Sequence, residues 1–182
     1  RDGRYLVYTE SNNVNRGGDI RYREFGPGGE AGEPVTFLST PAQESNPKLS
    51  PNGLFLAYRS DESGRSEIYV RPFPDGAGKW PVSVNGGDQL RWGSDGKELY
   101  YVEDRAALMV VSVSTDGVFT LGQPQQLFES SDLGRDGGTP TYDVSADGQR
   151  FVMVALIEGE EPPPPAIRIV ENWYEEFRDR DR

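Results

Sequence analysis

Residues 50–70 read SPNGLFLAYRSDESGRSEIYV and contain the clearest signals of secondary structure in the chain. An Asn-Gly step, Asn52-Gly53, interrupts a run of β-forming residues. Asn and Gly accept a positive φ angle at low cost, so such a step between two β-rich segments signals a hairpin turn. The segments 45–50, 54–58 and 67–70 are therefore predicted to be three consecutive short strands.

The same turn landmark recurs along the chain, at Asp2-Gly3, Asp95-Gly96 and Asp147-Gly148, so the four glycines are 50, 43 and 52 residues apart. A short alternating segment precedes three of these turns, and a β-rich segment follows each of them. A weaker fourth segment begins near a proline in three of the units, as an outer edge strand tolerates. Four short strands repeated about every 40–50 residues are typical of β-propeller blades.

The sequence thus predicts an all-β, β-propeller-type array of about four four-stranded blades. The blades are expected at roughly 1–43, 44–87, 88–137 and 138–171, with a short helix or tail at 172–182. The first and last blades each lack one strand, which predicts a partial propeller or half of a larger ring. Because the chain opens at Arg1 without Met, we expect an excised piece, a processed product or the ordered part of a longer protein. A β-sandwich with accidental periodicity is the structural alternative.

The composition excludes several classes of function. A chain without His and Cys cannot build a Ser-His-Asp triad, a Cys-His pair, a zinc site on those ligands or an iron–sulfur cluster. We expect no metal and no cofactor. Nineteen basic residues against thirty acidic ones leave a net charge of −11, which disfavours nucleic acid and anionic membranes as partners. No apolar run approaches the roughly 20 residues that insertion into a bilayer requires.

Residues 50–70 resemble the TolB-like, WD-repeat-like propeller repeats of bacteria, in which a Ser-Pro-Asp-Gly turn leads into an apolar strand, a Gly-containing loop and an Ile-Tyr-Val strand. The tail IRIVENWYEEF at 167–177 is similar to the end of the propeller region of some bacterial serine/threonine protein kinases. No kinase catalytic motif is present. The resemblance implies a non-catalytic, ligand-sensing or protein-interaction module of a larger protein, such as a receptor-like kinase. The lack of Cys fits an extracytoplasmic location, periplasmic or at the cell surface.

Charged residues collect in the loops that join the second and third strands of each unit and in the blade junctions, which together form one face of a propeller. We predict a mixed charged surface there, in which arginine forks bind carboxylates of a protein or peptide partner. Solvated surface ion pairs are the alternative. The candidate ligand-binding residues are Arg16, Asp61, Glu62, Arg65, Asp104, Arg105, Arg135 and Asp136.

Two other functions remain open. An open array could pair or stack through its blade edges, so that self-association into a homo-oligomer would be the function. A carboxylate-based carbohydrate-active enzyme would need two acids facing each other across a deep pocket. The chain has thirty acids and no local motif marks a pair of them, so we expect no catalytic residues and no enzyme.

Overall fold

A computed structural model describes residues 3–11, 18–115, 118–134, 141–155 and, for the backbone, 166–171. The predicted C-terminal helix or tail at 172–182 lies outside these residues. Every strand pair in the described part is antiparallel. The fifteen strands are β1 Tyr5–Ser11, β2 Gly18–Glu24, β3 Val35–Leu38, β4 Glu44–Leu49, β5 Phe55–Ser60, β6 Glu67–Pro72, β7 Trp80–Pro81, β8 Asp88–Trp92, β9 Glu98–Glu103, β10 Ala107–Ser114, β11 Thr120–Leu121, β12 Gln125–Glu129, β13 Tyr142–Val144, β14 Arg150–Ala155 and β15 Ala166–Glu171.

The strands form four sheets in chain order, which confirms an all-β, partial β-propeller. Blade 1 contains β1–β3, blade 2 contains β4–β7, blade 3 contains β8–β12 and blade 4 contains β13–β15. Blade 3 has one strand more than the repeat predicts. Its third strand, β10, is eight residues long, so its outer edge pairs with β12 along 107–110 and with β11 at 113–114.

The repeated glycines lie in the turns that join the first two strands of a blade. Gly53, Gly96 and Gly148 have φ angles of 73°, 74° and 69°. The preceding Asn or Asp keeps an ordinary φ angle and instead accepts a backbone N–H two residues ahead, as Asn52 Oδ1 does from Leu54 N at 3.1 Å. The two residues of the Asx-Gly step therefore contribute differently to the turn. Glycine adopts the left-handed backbone conformation, and the Asx side chain accepts the hydrogen bond that closes the turn.

The innermost strands of blades 2 and 3 share a bulge. Asn46 in β4 and Gln89 in β8 have φ angles of 53° and 52°, and each lies seven residues before its hairpin glycine. The pairing register shifts at both places. Positive φ is uncommon for residues other than glycine, so a bulge at the same position in two blades is a feature of the repeat.

The core lies between blades. In β5, Leu56 and Tyr58 pack towards blade 1, whereas Ala57 between them packs towards blade 3. In β9, Tyr101 packs towards blade 2 and Tyr100 towards blade 4. Successive side chains of a strand point to opposite faces, and here both faces meet a neighbouring blade, so the middle strands are apolar throughout.

The outer faces of the terminal blades are open. Phe151, Met153 and Ala155 of β14 are buried, but Val152 and Val154 on the other face are 39% and 58% exposed. In β1 of blade 1, Leu6 is 49% exposed. Among the described side chains, β14 thus buries one face and exposes the other, and Leu6 marks an exposed face of β1.

Candidate functional site

The face that carries the β5–β6 and β9–β10 turns, here called the loop face, contains a cavity of about 400 Å³ between blades 2 and 3. We call this cavity the arginine pocket. Blade 2, blade 3 and the junctions that follow them all contribute to its wall. The lining residues are Arg59, Arg65, Ser66, Asn85, Gly86, Gly87, Asp88, Gln89, Val102, Asp104, Arg105 and Gly134.

In two of the three arginines of the pocket, Arg59 and Arg105, the Nε–H group donates a hydrogen bond to an uncharged oxygen of the protein. Arg59 Nε donates to Ser66 Oγ at 3.0 Å, and its Nη1 lies 3.5 Å from Asp88 Oδ2. Arg105 donates from Nε and Nη2 to the carbonyl oxygen of Gly134, at 3.3 and 3.2 Å. In both cases two nitrogens of the guanidinium bond to the protein, which reduces the freedom that a ligand would have to remove.

Glu67 anchors the third arginine and the junction loop together. Its carboxylate is buried and accepts hydrogen bonds from Arg65 Nε at 2.7 Å, from Ser83 Oγ and from the backbone N–H of Gly86. Arg65 Nη2 also donates to the carbonyl of Val84. The side chain of Arg65 is itself about half exposed. One buried carboxylate therefore sets the position of an exposed cation and the shape of the loop beside it.

The β9–β10 turn has an unusual backbone. Asp104 and Arg105 have φ angles of 49° and 65°, and Ala106 N donates to Glu103 O at 3.1 Å across the turn. Two successive positive φ angles match the twist of a hairpin, but Asn or Gly usually occupies these positions. The two charged residues here keep a backbone that costs each about 1 kcal/mol or more. This strained turn places Arg105 beside Gly134.

Carboxylates crowd one end of the pocket. Burial raises the pKa of Glu103, and the negative charges of Asp104 and Glu67 raise it further, while Arg65 partly offsets them. The loop face around the arginine pocket is therefore mixed in charge.

Comparison with known proteins supports the fold. No known family and no curated protein matches the sequence. A protein assigned as TolB from Agrobacterium tumefaciens matches in structure with a TM-score of 0.54 and 17% identity, over 70% of this chain and 46% of that one. An oligogalacturonate lyase from Vibrio parahaemolyticus has a TM-score of 0.54 and 13% identity, over 91% and 43%. A puromycin-hydrolyzing peptidase from Mycobacterium tuberculosis has 0.56 and 16%, over 94% and 26%.

This is a TolB-like propeller fold. The chain spans between about a quarter and a half of the length of these three structures. Their functions differ from one another, and identities this low show the fold alone. The resemblance of the tail to kinase propellers remains a prediction.

The structure brings three of the predicted site residues together in this propeller: Arg65, Asp104 and Arg105 all line the arginine pocket. Asp61 and Glu62 lie on the same turn as Arg65 but bond elsewhere. Asp61 Oδ1 accepts the backbone N–H of Gln43 at 2.8 Å, and Glu62 pairs with Lys79. The other three candidates, Arg16, Arg135 and Asp136, lie outside the described residues.

Sequence reasoning missed several residues of the pocket or its support, among them Arg59, Glu67, Asp88 and Gln89. Arg59 and Glu67 belong to strands, whereas the sequence analysis sought charged site residues in the loops, and Asp88 and Gln89 begin an inner strand. A usable signal was present in the polar residues at the loop-face ends of otherwise apolar strands. Such residues have no place in an inter-blade core and therefore face its rim.

A second polar cavity, of about 300 Å³, lies beside the innermost strands. Lys48, Arg91 and Asp143 line it, and each stands five residues before its hairpin glycine. Arg91 Nε lies 3.6 Å from Asp143 Oδ1. Burial lowers the pKa of Lys48, and the charge of Arg91 lowers it further, while Asp143 opposes both. Equivalent positions of three blades thus meet at one charged cluster.

Within the described ranges, no group of three or more acidic side chains is placed to hold a metal ion. A search of the same ranges for a long apolar helix of membrane-spanning type finds none.

Proposed function

We propose that this propeller is a non-catalytic interaction module that binds a protein or peptide on its loop face. The observation that carries the proposal is the convergence of Arg59, Arg65 and Arg105 on one cavity between two blades. Arginine is favoured where planar polar groups of a partner must be recognised, because its fork presents several donors in a fixed geometry. Loops held by a rigid scaffold are also where binding residues concentrate.

The carboxylates near the pocket support a binding role rather than catalysis. Glu67 already accepts bonds from a guanidinium, a hydroxyl and a backbone amide, so it is committed to holding the structure. Glu44, whose pKa is raised by burial, is completely buried in blade 2 and out of reach of a substrate. General acid–base chemistry needs a carboxyl group within hydrogen-bond reach of a reacting atom.

We further propose that the propeller belongs to a larger bacterial protein, such as a receptor-like kinase, with this region outside the cytoplasm. The tail at 167–177 and the absence of Cys support this proposal. The net charge of −11 supports a protein or peptide partner over nucleic acid. Mass spectrometry of the native protein, captured with an antibody against residues 18–155, measures its full length. Recovery from the cytoplasmic fraction would contradict the location.

Selection of peptides from a random display library tests the interaction module. We expect selected peptides to bind the wild-type chain and to lose about tenfold or more in affinity with the double variant Arg65→Ala/Arg105→Ala. The matched control is Arg23→Ala, because Arg23 of blade 1 also donates to a backbone carbonyl, that of Gly32, at 3.1 Å. Peptides that bind the double variant as well as the wild type, or a selection without binders, would contradict the proposal.

Association of two copies through blade 4 is a second candidate function. The exposed valines Val152 and Val154 form an apolar surface of the kind that blades 2 and 3 bury against their neighbours. Burying it in a second copy is favourable. Light scattering should then show a dimer that Val154→Lys returns to a monomer. A monomeric wild-type chain at high concentration would rule this candidate out.

A further inference from the structure

We propose that the arginine pocket binds a single carboxylate, carried by a peptide whose flanking residues are neutral or basic. This inference rests on the proposed function and specifies the ligand chemistry of the same site. It follows from three observations: the guanidinium nitrogens that do not bond to the described residues, the ion pairs of the lining and the net charge of the whole chain.

Each arginine keeps one amino group for a ligand. The bonds to the protein use Nε and one terminal nitrogen in every case: Nη1 of Arg59, Nη2 of Arg65 and Nη2 of Arg105. Within the described residues, the remaining terminal nitrogens, Arg59 Nη2, Arg65 Nη1 and Arg105 Nη1, have no hydrogen-bond acceptor. A carboxylate has two oxygens that together offer about four acceptor sites, enough to bind donors from more than one arginine.

One arginine of the pocket has no carboxylate partner among the described residues. Arg59 pairs with Asp88 and Arg65 pairs with the buried Glu67, whereas the hydrogen bonds that Arg105 makes to those residues go to the backbone carbonyl of Gly134. One carboxylate therefore supplies a partner for Arg105. A phosphate group, with a charge of about −1.5 to −2, would leave an excess of negative charge beside Asp88 and Asp104.

The whole chain restricts the rest of the ligand. With a net charge of −11, the protein repels a peptide that is acidic along its length. An arginine without a carboxylate partner on an acidic protein selects a ligand with one acid among neutral or basic residues. The acid binds the arginine, and the neutral or basic flanks are not repelled by the negative charge around the pocket. Either an acidic side chain or a free carboxyl terminus satisfies this description.

The test is a titration of the wild-type chain with acetate, acetamide and inorganic phosphate, followed by the NMR signals of the arginine Nε–H groups. We expect acetate to shift the signals of Arg65 and Arg105 saturably. Acetamide, which has the same shape without the charge, should not, and phosphate should bind no more tightly than acetate. Arg105→Gln should weaken acetate binding by about tenfold, whereas Arg23→Gln should leave it unchanged.

Three results would overturn the inference: equal responses to acetate and acetamide, acetate binding that survives Arg105→Gln, or tighter binding of phosphate. The peptide-display experiment distinguishes failure of the carboxylate inference from failure of the proposed function. Selected peptides that need Arg65 and Arg105 but tolerate replacement of every carboxyl group by an amide would support the interaction module and refute the carboxylate.

Discussion

Glu67 is only 3% exposed, yet its carboxylate accepts bonds from the Arg65 guanidinium, the Ser83 hydroxyl and the Gly86 amide. Its place at the start of β6 lets it reach both the β5–β6 turn and the junction that leads to blade 3. At the scale of single residues, the shape of the arginine pocket therefore depends on a group that a ligand would never touch.

Replacement of this carboxylate by an amide should be costly. In Glu67→Gln, an NH₂ group faces donors that the wild-type oxygens accept, so we expect the free energy of unfolding to fall by about 2–3 kcal/mol. Urea denaturation measures the change. Glu62→Gln is the control, since it breaks the partly exposed pair with Lys79 and should cost less than about 1 kcal/mol. Equal effects of the two variants would contradict the role given to Glu67.

Glu44 should make the stability depend on pH. Burial raises its pKa above the ordinary value of 4.5, and the charges of Asp19 and Glu62 add to the increase, while the hydrogen bond from Thr40 partly offsets it. One of its oxygens, Oε2, is buried without a hydrogen-bond partner among the described residues. The folded state therefore favours the protonated acid. Its stabilising contribution is complete below the unfolded-state pKa and is lost as the pH rises through the folded-state pKa.

Glu44→Gln removes this titration. We expect the stability of the variant relative to the wild type to increase with pH from about 4.5 upwards, as measured by urea unfolding at several pH values. Ser45→Ala is the matched control, because it changes the adjacent residue without removing a titrating group. A pH-independent difference between Glu44→Gln and the wild type would show that the pKa of Glu44 is the same in the folded and unfolded chains, which would contradict the effect of burial.

Some residues of the site could be predicted from the sequence and others could not. Arg65, Asp104 and Arg105 were predictable, because they lie in turns that the repeat places on the loop face. Arg59 and Glu67 were not, because their role depends on which residues of the next blade face them. Asp61 and Glu62, although adjacent to Arg65, point to partners that only the packed structure specifies.

At the scale of elements, a buried side chain links blade 3 to blade 4. Gln89 Nε2 donates to Leu133 O at 2.6 Å, and its Oε1 accepts from Thr141 N at 2.7 Å and from Thr141 Oγ1 at 3.0 Å. The bulge in β8 gives Gln89 its positive φ angle, and the equivalent Asn46 shows that the repeat supplies the same backbone in blade 2. The bulge in β8 thus positions a side chain that hydrogen-bonds to the segment leading into blade 4.

Loss of this amide should loosen blade 4 in particular. Gln89→Met keeps the length of the side chain but leaves Thr141 N without its acceptor, so we expect unfolding to become easier by about 2–3 kcal/mol. Hydrogen exchange should accelerate in β14 more than in β5. Gln126→Met is the control, as the side chain of Gln126 is exposed and donates to Glu129 on the same strand. Equal acceleration of hydrogen exchange in β14 and β5 would mean that Gln89 stabilises the whole chain and not blade 4 in particular.

At the scale of the whole molecule, the blades differ in how many faces they bury. β5 and β9 have neighbours on both sides, whereas β1 and β14 cover one face and leave the other open. In a stack of repeats, stability comes from each unit and from its interfaces, so units with one interface should open first.

Hydrogen exchange along the native chain should follow this order. We expect amides of β5 and β9 to exchange at least about tenfold more slowly than those of β1 and β14, because opening a middle blade breaks two interfaces. Peptide-resolved mass spectrometry gives the comparison in one experiment. Uniform protection would contradict the gradient, and protection of β14 that rises with protein concentration would instead support association through blade 4.

The sequence by itself determined the repeat, the turns and the all-β class, because these depend on neighbours along the chain: Gly53 takes its left-handed angle and Asn52 closes its turn whatever lies across the blade interface. It also determined which chemistries are impossible without His and Cys. The tertiary structure decided which side chains meet. Whether an arginine joins the pocket or pairs elsewhere depends on contacts between residues far apart in the chain, such as Arg105 with Gly134 and Arg59 with Asp88. Those contacts exist only after the blades have packed.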